Sequence, residues 1–346
     1  MPEVLVRARG LTKRFGSFTA VDGIDFEISR GEAFGFLGPN GAGKSSTMRM
    51  LGCVSPPTVG DLTILGGDPV RDGAAIRARL GVVPQEDTLD NELTVRENLL
   101  VYGRYFGLAR KLISERTDQL LDFVQLTERA GDQVDPLSGG MKRRLTIARS
   151  LINDPDILIL DEPTTGLDPQ ARHVVWDRLF RLKQRGVTLI LTTHYMDEAE
   201  QLCDRLVVMD HGKIAAEGTP RELIARYSTA EVLELRFAPE DRDEAVLKIK
   251  ELVEQRSSAS DRMADSAIGR APGGYGPSGS GVSPGGTVSP RVTTVVTADR
   301  LLLYAADGDE FLARVHQAGI EPLTELVRRS SLEDVFLHLT GRTLID

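Results

Sequence analysis

Only two cysteines, Cys53 and Cys203, occur in the 346 residues, far apart and without the close spacing of metal ligands. That argues against a disulfide scaffold or a cysteine metal site and suits a reducing, cytosolic setting. Excess positive charge is also missing: 42 Lys and Arg against 51 Asp and Glu give a formal net charge of -9. Such a balance disfavours a broad non-specific grip on nucleic acid, so no nucleic-acid partner is expected. No stretch approaches the ~18 uncharged apolar residues of a membrane span. The segment Met1-Pro2-Glu3-Val4-Leu5-Val6-Arg7 lacks a basic-then-apolar signal pattern. Any membrane role is therefore expected to run through a partner. The 41% hydrophobic and 27% charged content is otherwise that of an ordinary globular protein, long enough for about two domains.

Against these absences stands one strong motif. Gly38-Pro39-Asn40-Gly41-Ala42-Gly43-Lys44-Ser45 satisfies the G-x-x-x-x-G-K-[ST] phosphate loop at every specified position. The apolar run Ala33-Phe34-Gly35-Phe36-Leu37 before it reads as a buried strand, and Ser46-Thr47-Met48-Arg49-Met50-Leu51 after it continues as a helix. The glycines permit backbone angles that turn successive N–H groups inward around a phosphate chain. The helix N-terminus faces the same anion. Lys44 supplies a charge for the β- and γ-phosphates, and the Ser45 hydroxyl can ligate Mg²⁺. Binding of a nucleoside triphosphate is the expectation.

Along the chain, β-rich runs and turns fill residues 1–86, and helix dominates about 87–150, opened by the capping box Thr94-Val95-Arg96-Glu97. Strands and helices then alternate: Ile157-Leu158-Ile159-Leu160, a helix capped by Asp168-Pro169 with the stripe Val175, Leu179 and Leu182, and Thr188-Leu189-Ile190-Leu191. Fully apolar central strands in an α/β alternation imply a mostly parallel sheet covered on both faces. From 229 to 346 a second pattern reads βαββαβ plus a last helix, a small ferredoxin-like α+β domain. It is interrupted at about 257–290; between Gly269 and Pro290, 16 of 22 residues are Gly, Pro or Ser, and disorder is expected there.

Asp161 and Glu162 end the apolar strand 157–160, on the side where the phosphate loop would lie. Asp161 suits the Mg²⁺ shell, and Glu162 suits the base that polarises the attacking water. Further motifs follow. Leu137-Ser138-Gly139-Gly140-Met141 resembles the LSGGQ signature of ABC ATPases. Gln85 is similar to the Q-loop glutamine, Asp161-Glu162-Pro163-Thr164 to Walker B, and Gly166-Leu167-Asp168 to the D-loop. His194 falls at the switch-histidine position, and Phe15 at the aromatic A-loop position.

The resemblance covers about residues 4–220. It implies a P-loop (RecA-like) ABC ATPase core, 1–228, with a helical signature subdomain. ATP would be held by Phe15, Gly38 to Ser46, Gln85 and Ser138-Gly139-Gly140, and Mg²⁺ by Ser45, Gln85 and Asp161. The implied catalytic residues are Lys44, Glu162 and His194. The family presents its signature to ATP held by the opposite protomer, so a second copy of the chain is an implied partner. No Asn-Lys-x-Asp guanine motif appears, which favours ATP over GTP. The family's signature Gln is Met141 here, its A-loop Tyr is Phe15, and Thr165-Gly166 replaces Ser-Ala in the D-loop. Lys142-Arg143-Arg144 reads as a solvated helix face.

Val82-Val83-Pro84-Gln85-Glu86-Asp87, Thr94 to Leu100, Gly139 to Leu145 and the tail Ser331-Leu332-Glu333-Asp334-Val335-Phe336-Leu337 resemble a narrower group. These are the ATPases of daunorubicin-resistance and nodulation lipooligosaccharide exporters. That branch implies export of a drug or lipid-like molecule by a separate membrane permease, at the cytoplasmic face of the cell membrane, with residues 86–110 as the permease contact. An importer subunit and a soluble, non-transport ABC ATPase remain the alternatives.

Overall fold

The computed structural model describes residues 3–253, 292–297 and 300–340. The expected Gly/Pro/Ser-rich insert lies outside the described residues. Two compact units are present: one comprises the chain to Leu223 together with the segment from Phe336, the other Ile224–Val335.

The first unit begins with a long hairpin, β1 (Val4–Phe15) and β2 (Phe18–Ser29), and β4 (Val59–Ile64) pairs with β1 to complete an antiparallel sheet. Short runs were expected here. Register shifts between Ala8 and Leu11, and again around Lys13, interrupt the period-2 alternation, so two continuous strands read as fragments.

The second sheet has six strands: β3 (Ala33–Leu37), β5 (Leu80–Val83), β6 (Ile157–Asp161), β7 (Thr188–Thr193), β8 (Arg205–Asp210) and β9 (Lys213–Gly218). Their order is β5-β6-β7-β3-β8-β9, parallel throughout except for the β8–β9 hairpin. One face of β3 carries Phe34 and Phe36, which pack with Phe26 of β2 at centroid separations of 5.2 to 6.0 Å. Gly35 points the other way, where a Cβ would come within 2.5 Å of the Cys203 sulfur. Strands buried on both faces explain why these segments are apolar without alternation.

Helices of this unit are α1 (Lys44–Leu51), α2 (Gly73–Arg77), α3 (Val95–Tyr105), α4 (Arg110–Phe123), α5 (Gly139–Ser150), α6 (Pro169–Gln184), α7 (Met196–Leu202) and the first half of α8 (Pro220–Tyr227). Between neighbouring strands β5 and β6 the chain makes an excursion through α3, α4 and α5. These share a core of Val95, Leu99, Leu121, Val124, Leu145 and Ala148. Thr94 closes a full capping box with Glu97, and Asp168 caps α6 by accepting from the Ala171 N–H. Each such cap stabilises its helix by about 1 kcal/mol.

The second unit contains β10 (Glu231–Arg236), α9 (242–253), β11 (Thr293–Val296), β12 (Leu301–Ala305), α10 (Gly308–Gln317), β13 (Thr324–Arg329) and the start of α11 (Leu332–Thr340). Its antiparallel order, β11-β12-β10-β13, is that of a ferredoxin-like βαββαβ fold. Leu233, Leu235, Leu301 and Leu303 meet Ile249, Phe311 and Val315 in its core.

Candidate active site

In a parallel sheet, loops leaving the strands' C-terminal ends share one edge. Here β5, β6, β7 and β3 are consecutive neighbours. Their exits lead in turn to Gln85, to Asp161 and Glu162, to His194, and to the phosphate loop. Residues scattered over more than a hundred positions are thereby brought together by strand order alone.

The loop itself is tightly seated. A Cβ on Gly38 would lie 2.4 Å from the Met209 carbonyl oxygen, and one on Gly43 2.4 Å from that of Ala20. Gly43 also has φ 102°, which only glycine adopts freely. The Lys44 ammonium, 5% exposed, donates to the carbonyls of Gly38 (2.7 Å) and Pro39 (3.0 Å) and stands 3.8 Å from Glu162 Oε1. Burial pushes its pKa down, while Glu162 and Asp161 oppose that shift. Asn40, Gly41 and Ser45 are exposed around this cradle, and Ala42 is buried beneath it. Ser46 is partly buried in the first turn of α1.

Glu162 is the centre of the cluster. Its Oε2 accepts from Gln85 Nε2 at 3.1 Å and from the Thr165 hydroxyl at 3.1 Å. The His194 Nδ1 lies 3.2 Å from Oε1. His194 is the largest influence holding the Glu162 carboxyl below its ordinary value; burial opposes it, and Lys44 and Thr165 reinforce it. The group is therefore ionised at neutral pH. Its backbone has φ 46°, a left-handed conformation that costs a non-glycine residue about 1 kcal/mol or more. Asp161 accepts from the Thr192 hydroxyl at 2.5 Å, and the Glu162 N–H donates to both the hydroxyl and the carbonyl of Thr192.

The remaining predicted residues lie elsewhere. Ser138 caps α5, accepting from the Met141 N–H at 3.3 Å. Gly140 packs against α6, where a Cβ on it would meet that of Ala171 at 2.8 Å, and a Cβ on Gly139 would lie 3.8 Å from the Leu167 side chain. Phe15 ends β1 with its ring 51% exposed and the Lys13 ammonium 5.1 Å from its centroid.

One expectation is overturned. Lys142-Arg143-Arg144 is not a solvated face: Arg143 is 9% exposed, and Arg144 donates to the Val124 carbonyl at 2.5 Å. Helix α5 is buried nearly all round, with Leu145 and Ala148 on one side and Ile147 on another. That spread of apolar residues was the available signal. Three supports of the site were given no role from the sequence. Thr192 and Thr165 act through their hydroxyls, and Thr165 was noted only as a departure within the D-loop. Glu198, completely buried, accepts from the Thr164 hydroxyl and the Trp176 indole, and burial pushes its carboxyl pKa up.

Comparison with known proteins agrees with this architecture. Residues 21–165 match the ABC transporter family, and residues 286–341 match the C-terminal domain of the nodulation factor export protein NodI. The chain is 43% identical to the Nod factor export ATP-binding protein I of Paraburkholderia xenovorans, over 100% of both chains. It is 44% identical to the protein of that name from a Rhizobium species, over 99% of each. Among solved structures, cbiO1 from Clostridium perfringens, part of the ABC transporter complex cbiONQ, aligns with TM-score 0.61 and 29% identity, covering 64% of this chain and 91% of that one. A dimeric ATP-binding cassette bound to ADP and Pi aligns with TM-score 0.57 and 27% identity, covering 62% and 98%. An edge-assembled phosphate-loop site and full-length identity above 40% lead to one conclusion: the chain belongs to the ATP-binding, ATP-hydrolysing subunits of ABC exporters, in the branch that contains the Nod factor export ATP-binding protein I chains.

Proposed function

We propose that this subunit hydrolyses ATP with Glu162 as general base, in a pair of copies docked beneath a separate membrane permease, to export a lipid-like molecule of the nodulation lipooligosaccharide type. The observation that supports the chemistry best is the convergence of Gln85, Glu162, His194 and Lys44 on one sheet edge. The phosphate loop and Lys44 bind and neutralise the phosphates. Glu162 takes a proton from water as the water oxygen bonds to the γ-phosphorus and the bond to the β–γ bridging oxygen breaks. His194 lowers the Glu162 pKa against the opposing effect of burial, and Gln85 donates to the carboxylate and orients it. Among the described residues no three His, Cys, Asp or Glu cluster as a metal site. Ser45, Asp161 and Gln85 would hold Mg²⁺ together with phosphate oxygens, and the ion would supply charge neutralisation. Phe15 offers an open ring face to adenine.

Ser138-Gly139-Gly140 opens α5 beside Leu167 and Ala171, outside the Gln85, Glu162, His194 and Lys44 cluster, which suits recognition of a nucleotide held by the second copy. No helix among the described residues is long and apolar enough to cross a membrane, so a peripheral position on the cytoplasmic face suits the subunit. We assign 1–228 to the ATP-binding module and 229–346 to an accessory domain. The test is to isolate tagged Glu162→Gln protein from detergent-solubilised membranes with ATP and Mg²⁺. A polytopic membrane protein recovered in near-equal amount is expected. Recovery with ribosomes, nucleic acid or no partner would overturn the transporter reading.

A further inference from the structure

The side chain of Arg143 has no role in the site described above, yet it is one of the most heavily engaged in the first unit. Its Nε donates to the Pro163 carbonyl at 2.7 Å. One terminal nitrogen donates to the Pro84 carbonyl. The other donates to the carbonyls of Asp161 and Glu162, at 3.0 and 3.1 Å. Burial pushes the guanidinium pKa down to about 10, so the group stays charged at neutral pH.

These acceptors belong to the exits of two neighbouring strands. Pro84 immediately precedes Gln85 after β5, and Asp161, Glu162 and Pro163 form the turn after β6. Three successive carbonyls can point at one cation only because Glu162 is left-handed. That turn is strained, and the groups that hold it are limited. Thr192 takes the Glu162 N–H, and the Glu162 carbonyl accepts from Arg143 at 3.1 Å and from the Thr165 N–H at 3.3 Å, while the Pro163 and Asp161 carbonyls also accept from Arg143. A guanidinium suits the task because its donors diverge rigidly in one plane; an ammonium gathers its donors on a single nitrogen.

Building on the assignment of Glu162 as base, we propose that Arg143 is the positioning residue for the ATPase reaction. It locks the strained turn that aims the Glu162 carboxylate and ties it to the loop that presents Gln85. Because Arg143 sits one turn into α5, the helix opened by Ser138, the lock also joins the signature helix to the base of the same chain. Arg149 reinforces the joint from further along α5, donating to the Thr88 carbonyl at 2.7 Å while its guanidinium stacks over Tyr102.

The test uses the full-length protein and compares wild type, Arg143→Ala, Arg143→Lys and Glu162→Gln in steady-state ATPase and equilibrium ATP-binding assays. For Arg143→Ala, kcat should fall about tenfold to a hundredfold, the scale of a misplaced reacting group. ATP affinity and KM should stay within about twofold, since the phosphate loop is untouched. Arg143→Lys should fall between, and low-millimolar guanidinium should restore part of the Arg143→Ala rate. Wild-type kcat in Arg143→Ala would overturn the proposal. So would a parallel loss of kcat, ATP affinity and melting temperature without guanidinium rescue, the mark of a purely structural residue. Glu162→Gln separates the two readings. If it turns over ATP normally, the base assignment fails; if it is inactive while Arg143→Ala is active, only the positioning proposal fails.

Discussion

Glu162 in the first unit and Asp334 in the second are both buried carboxylates held below their ordinary pKa, and their surroundings differ in kind. Asp334 receives the Arg328 fork at 2.7 and 2.9 Å, the Tyr304 hydroxyl at 3.1 Å, and the Ser331 N–H at 2.8 Å. Burial alone would raise its pKa; the Arg328 fork and the Ser331 N–H outweigh that. Arg328 is in turn tied to Glu234 of β10. Arg328 and Tyr304 stand on strands β13 and β12, and Ser331 directly precedes α11. Glu162 instead meets side chains from loops, Gln85, Thr165 and His194, on a backbone in a strained conformation. A structural acid is saturated by fixed partners, and a working acid is held by partners it can exchange. Burial and pKa alone would not tell the two apart.

The sharpest way to break this contrast is Glu162→Gln. Its kcat should fall about a hundredfold to ten-thousandfold, the usual worth of a general base, with ATP binding retained in a filter-binding or calorimetric assay. If turnover survives, Glu162 belongs with Asp334 as a structural acid. The converse change, Asp334→Asn, should cost about 3 kcal/mol in denaturant unfolding followed on the second unit, because it leaves the Arg328 charge poorly paired. Since the Asp334 pKa is lowered by folding, its contribution is fully present above the unfolded carboxylate pKa and is lost as pH falls through the folded value. In Asp334→Asn that part of the acid-side stability loss should vanish. A variant with unchanged stability would show the network to be ornamental.

A subtler effect is expected from His194→Ala. Removing the ring takes away the main influence that lowers the Glu162 pKa and leaves burial less opposed. The acid limb of the kcat/KM profile should therefore move to higher pH, and an unmoved limb would disconnect His194 from the base. The smallest effect belongs to a third acid, Asp307, which is exposed and caps α10 through the Glu310 N–H at 2.8 Å. Asp307→Ala should lower the stability of the second unit by about 1 kcal/mol and leave turnover alone. A change in kcat there would break the separation of roles between the two units.

Legibility in the sequence followed the locality of the physics. The phosphate loop, the Thr94–Glu97 capping box and the Asp168–Pro169 cap depend on a few adjacent residues, and all were readable. The βαββαβ order of the second unit was readable because its strands and helices keep clean periodicities. The long β1–β2 hairpin was not, because bulges broke its alternation. Arg143 was misread for a different reason. A basic triplet is usually solvated, and here the acceptors that bury its middle member lie some twenty and sixty residues away in sequence. Thr192 and Thr165 were given no role on the same grounds: their value arises only once the strands stand side by side.

The contact between Gly35 and Cys203 has a practical consequence. Cys203 is wedged against the strand that feeds the phosphate loop, and burial pushes its thiol pKa far above the reactive range. The other thiol, Cys53, is half-buried. The unmodified protein thus contains its own kinetic reporter. A maleimide should label the half-buried Cys53 faster than Cys203, which should react only when β3 parts from its neighbours, and slower labelling of Cys203 in the presence of ATP would time how firmly the nucleotide clamps that strand.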